Sequence, residues 1–98
     1  MVTDLADFTR DVLKKRNING FQIVVVSGNE GFVNFPKRTI LLGEGATKKI
    51  ALHEIAHIVA GPEHYHYSAA FENAYRILCQ EYLKLKSDLP FCHLLREN

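Results

Sequence analysis

The sequence predicts an α+β domain in which an N-terminal helix, a helix in the middle of the chain and a long C-terminal helix pack against a small, three-stranded sheet. Apolar residues recur at helical spacing in three separate stretches, and three short β-branched or aromatic runs fall between the first and second of them. Glycine, proline and asparagine mark the changes of period. With 98 residues, the span 1–98 makes a single domain.

Thr3 or Asp4 is placed to cap the first helix, where Leu5, Phe8, Val12 and Leu13 form one face. Lys14, Lys15 and Arg16 suit the negative end of that helix. Asn17 to Gly20 reads as a stop and turn. Phe21 to Val26 reads as a strand, and its contiguous valines 24–26 predict burial on both faces. Ser27 to Gly31 is a turn. Phe32–Phe35 and Thr39–Leu42 are two further short strands around Pro36, Lys37 and Arg38. From about Ala46 to Ala60 the period is helical, with Leu52, Ile55, Ala56 and Val59 in one stripe and a stop at Gly61-Pro62. Ser68 caps a last helix whose Phe71, Tyr75, Leu78, Tyr82 and Leu85 share a face, ending at Ser87 to Pro90.

Composition narrows the function. Twelve basic against 11 acidic residues give a net charge of +1, which is no footprint for nucleic acid or an anionic membrane. No apolar run approaches the roughly 20 residues of a membrane span. The N-terminus shows no basic and apolar leader. Cys79 and Cys92 make neither a disulfide framework nor a zinc ribbon, so reduced thiols and a cytoplasmic location are expected. Histidine is the unusual residue: His53, His57, His64 and His66 fall within fourteen positions.

His53-Glu54-Ile55-Ala56-His57 is an H-E-x-x-H motif on a predicted helix. Residues four apart lie on one helical face with about 6 Å of rise between them, so two imidazoles can reach one metal ion. The expected metal is zinc, which in catalytic sites takes three protein ligands and an open water position. Glu54 sits beside the first histidine, where it can hold that water without being a ligand. A third ligand must come from another segment, and His64, His66, Glu63 and Glu72 are candidates. The longer pattern H-E-x-x-H-x-x-G-x-x-H is not matched, because Ala60 and Glu63 stand at its glycine and last histidine. In an extended turn, His64 and His66 point the same way and Tyr65 and Tyr67 the other.

These residues resemble the SprT-like zinc metallopeptidases and the small bacterial and phage metallohydrolases related to them. The stretch His53 to Val59, the Gly-Pro turn, the His-x-His and Phe71 carry the resemblance. It covers roughly residues 32–85, with residues 53–71 specific. It implies a minimal zincin-like fold, His53 and His57 as zinc ligands, Glu54 as general base and His66 as third ligand. The family places an aromatic four residues after its third histidine, whereas Phe71 follows His66 by five, which leaves His64 as the alternative. Larger members carry a cysteine zinc ribbon and DNA-binding tails that this chain lacks, so no DNA-repair role is implied.

The expected function is zinc-dependent hydrolysis of protein or peptide substrates. Glu54 takes the proton of a zinc-bound water and passes it to the leaving amine. Zinc, with His64 or a tyrosine of the 65–67 turn, stabilises the oxyanion. Substrate is expected to add as a strand along an exposed edge at Thr39–Leu42. The alternative is a small binding or structural protein stapled by a closed site of His53, His57, His64 and His66. A metal-free interaction module built on the last helix is a third reading.

Overall fold

The first helix, α1, spans Val2–Lys15, so Thr3 and Asp4 lie in its first turn rather than before it. The computed structural model describes residues 2–62 and 68–83. Ala6, Val12 and Leu13 bury the inner face of α1, and the buried hydroxyl of Thr9 donates to the Leu5 carbonyl at 2.7 Å. The helix closes as a Schellman motif. Asn17 adopts φ 62° and donates to the Lys14 carbonyl, while Ile18 donates to that of Leu13. The predicted stop therefore has a specific geometry, and it returns Ile18 to the core.

Three strands follow: β1 (Gln22–Val26), β2 (Gly31–Asn34) and β3 (Thr39–Gly43). Their order is β1-β3-β2, with β3 parallel to β1 and antiparallel to β2. Two expectations are corrected here. β1 is not buried on both faces: Val24 and Val26 are 40% and 41% exposed, alternating with half-buried Ile23 and Val25. It is an edge strand whose inner face alone packs against the helical layer. Thr39–Leu42 is not an edge either, because β3 runs between the other two strands. Ile40 and Leu42 of β3 are fully buried beneath the helices.

The loop from β1 to β2 crosses closely over the end of β3. A Cβ on Gly43 would stand 2.3 Å from the Gly28 carbonyl oxygen and 2.9 Å from the Asn29 nitrogen, both backbone atoms. Gly43→Ala must displace that loop. A loss of about 1–3 kcal/mol is expected by urea denaturation, as for other overpacked sites.

Helix α2 spans Lys48–Ala60 and helix α3 spans Ala69–Tyr82. Thr47 caps α2 by accepting from Ile50 N–H, and Ser68 caps α3 by accepting from Phe71 N–H. Gly61, at φ 102°, closes α2 by donating to the His57 carbonyl, and Leu83 closes α3 by donating to that of Cys79. Helix α3 thus stops short of the predicted Ser87, and Leu85 and Cys92 lie outside the described residues. The two helices pack along each other more extensively than any other pair of elements. Ala51, Leu52, Ile55 and Ala56 of α2 meet Phe71, Ala74, Tyr75 and Leu78 of α3 within one core. No helix among the described residues is long and apolar enough to cross a membrane.

Candidate metal centre

The core stripe of α2 fixes where its remaining residues go. Leu52, Ile55 and Ala56 are fully buried, which leaves His53 and His57 on the adjoining flank, both half-buried. Their ring centroids lie 5.0 Å apart at an interplanar angle of 74°. Two imidazoles that each place a nitrogen about 2.0–2.1 Å from one zinc at a tetrahedral angle have centroids about 5 Å apart. The spacing of the two rings is therefore compatible with both binding one ion.

Helix α3 supplies the wall behind the pair. Phe71 and Tyr75 stack on each other, with centroids 6.0 Å apart and planes at 14°, and both are fully buried. Phe71 contacts both imidazoles, at 5.0 Å from His53 and 4.5 Å from His57. Tyr75 lies 5.8 Å from His53, edge to face. These rigid rings restrict the imidazole rotamers, as a supporting shell for a metal site must. Sequence reasoning places Phe71 and Tyr75 on one buried face of α3. Their contact with the histidine pair adds to that placement.

Glu54 points to a different side of α2, towards the sheet. It is only 7% exposed, and burial alone pushes its carboxyl up to about 7. Glu54 follows His53 in the chain, and a carboxyl whose proton affinity burial shifts so far is a candidate for chemistry. Its nearest strand is β2, where Gly31 lies against the Glu54 side chain.

His64, His66 and Glu63 lie outside the described residues. Among the described residues, no three His, Cys, Asp or Glu side chains converge on one point. Glu72, the other candidate third ligand, lies one residue after Phe71 in the first turn of α3 and is half-buried. Glu72 lines an open hollow with Ala69, Ala70, Asn73 and Arg76, on another face of α3 from Phe71 and Tyr75. The segment that joins α2 to α3 is anchored beside the site at both ends. Gly61 bonds to the His57 carbonyl, and Ser68 caps the turn that carries Phe71. Cys79 is buried in the core of α3, and its thiol is pushed up by burial, so it is no thiolate donor.

Edge strand β2 borders the site. Gly43 N–H donates to the Glu30 carbonyl, in register with the Gly31–Leu42 and Phe32–Leu41 pairs. Alternation along an antiparallel ladder then directs the backbone groups of Phe32 towards β3 and those of Gly31 and Val33 towards the free edge. The edge beside Glu54 thus belongs to β2, which the sequence reading had assigned to Thr39–Leu42. A glycine opening a strand run is the signal that marks it, since such glycines accompany close backbone approach.

In comparison with known proteins, the chain matches no protein-family model, no curated protein and no solved structure.

Proposed function

We propose that the protein is a minimal zinc metallopeptidase of the SprT-like, zincin type, acting on protein or peptide chains. The observation that carries this reading is the His53–His57 pair at 5.0 Å, with the buried carboxyl of Glu54 on the same two turns of helix. His53, His57 and His66 would hold the ion, with His64 as the alternative third ligand. Bound there, zinc supplies Lewis acidity, which acidifies water and polarises a carbonyl.

The chain's own residues do the rest. The Glu54 carboxylate accepts a proton from the attacking water and returns it to the leaving amine. The backbone groups of Gly31 and Val33 are available to pair with an extended substrate laid along β2. Such pairing would hold a peptide bond beside Glu54 with little dependence on side-chain identity. Phe71 and Tyr75 keep water from the back of the imidazoles.

The test is hydrolysis of unfolded casein by purified protein carrying one zinc per chain. Activity should disappear with a zinc chelator and return with added zinc. Casein left intact by zinc-loaded protein would overturn the reading.

The ligand assignment has its own test. His66 precedes the Ser68 cap and Phe71, so the start of α3 can fix its imidazole. His66→Ala is expected to weaken zinc affinity at least tenfold more than His64→Ala, measured by competition with a chromophoric chelator. The reverse ranking moves the ligand to His64. Equal, large losses would favour the closed four-histidine site and a structural zinc.

A further inference from the structure

Gly31 stands where β2 meets α2, and its backbone is not in the left-handed region, so its conformation does not demand glycine. What excludes a side chain is the helix. A Cβ on Gly31 would lie 2.9 Å from Glu54 Cγ, 3.2 Å from Glu54 Oε2 and 3.1 Å from Ile50 Cγ2. Ile50 and Glu54 are four residues apart, so one turn of α2 is seated directly on this glycine. Carbon atoms in comfortable contact sit about 3.5–4.0 Å apart, so a methyl group here would push Glu54 Cγ away by roughly 0.6–1 Å. Glu54 is buried and cannot take up that shift by swinging into solvent.

We propose that Gly31 is a positioning residue for Glu54. By lacking a side chain, it lets the Glu54 carboxylate lie against β2, next to the backbone groups that face the free edge. Gly31 touches neither the proposed ion nor the bond to be cleaved, and it acts only through Glu54. The inference rests on the reading of Glu54 as general base, and it adds a geometric requirement: the base and the substrate-binding edge share one contact. A displacement near 1 Å in a catalytic group is enough to cost about 100-fold in rate. The tightest contact involves Glu54 beyond its Cβ, so cutting that side chain back should leave only the milder contact with Ile50 Cγ2.

The experiment is a double-mutant cycle on the full chain, read by thermal denaturation, zinc content and casein hydrolysis. Gly31→Ala should lower Tm by roughly 5–15 °C. In a Glu54→Ala background the same substitution should lower Tm by less than half as much, because only the Ile50 contact remains. Zinc should stay at one per chain. Turnover of casein should fall about 30- to 100-fold, with KM changed less than about threefold. Equal Tm losses in both backgrounds would assign the clash to Ile50 and overturn the proposal. So would a Gly31→Ala variant with turnover within threefold of the parent. Failure of the underlying reading looks different: Glu54→Gln would retain turnover, or the parent would not cleave casein, while the Tm coupling would still decide whether Gly31 seats Glu54.

Discussion

His53→Ala and His57→Ala are each expected to abolish stoichiometric zinc binding and to lower Tm by roughly 15–30 °C in zinc-containing buffer. An ion that binds only the folded chain stabilises it by about 4 kcal/mol when free zinc is a thousandfold above Kd. For a domain of this size, each kcal/mol is worth about 4–8 °C. Packing contributes separately, since both imidazoles touch Phe71 and His53 also touches Tyr75. Chelator-treated parent protein separates the two effects. Zinc should raise the Tm of the parent and leave the His53→Ala and His57→Ala variants where they were. The measurement is a Tm titration against zinc, with metal content checked by atomic absorption. An undiminished zinc-induced rise in a double variant would exclude the pair as ligands.

How much of this was legible in the sequence depends on the range of the interaction that decides each feature. The spacing of His53 and His57 is local, and helical geometry alone brings them to one face. The Ser68 cap and the Gly61 stop are equally local, and both have the hydrogen bonds their residue types predict. The sheet was only half legible. The Phe35–Arg38 turn announces a hairpin: Lys37 N–H donates to Asn34 Oδ1, and Arg38 takes φ 49°. Nothing local says that β3 then inserts beside β1 and leaves β2 outermost. That order depends on contacts between residues far apart in the chain, so sequence alone puts the exposed edge on Thr39–Leu42, which is the central strand.

Val24 to Val26 failed for a related reason. An unbroken apolar run reads as burial on both faces, but among the described residues helices cover one face of this sheet. Val24, Leu41 and Phe32 lie in one row across the other face, with Phe32 57% exposed. Gly31 was read as the last residue of a turn. Its role against Glu54 depends on how α2 lies across β2, which no window of sequence contains. The candidate site was therefore legible where one helix carries it and not where two elements meet.

Glu54→Gln is expected to leave zinc at one per chain while lowering casein turnover by about 10²–10⁴-fold, the usual worth of a general acid–base group. The amide keeps the shape of the carboxyl, so Gly31 and Ile50 still seat it, but it neither takes nor returns a proton. A loss below tenfold would argue against the role, and loss of metal would recast Glu54 as a ligand. The same variant has a second expected signature, in metal-free protein. Burial raises the folded-state carboxyl from its ordinary 4.5 to about 7. The folded chain then holds this proton more tightly than the unfolded chain. Its contribution to stability is fully present below about pH 4.5 and is lost as pH rises through about 7. The difference corresponds to roughly 3 kcal/mol between the two limits. Subtracting the Glu54→Gln profile removes what both proteins share. Urea denaturation of chelator-treated protein between pH 4.5 and 7.5 should show the parent losing stability relative to Glu54→Gln as pH rises. Parallel profiles would mean that Glu54 ionises as freely in the folded chain as in the unfolded one, and would remove the buried carboxyl from the proposed mechanism.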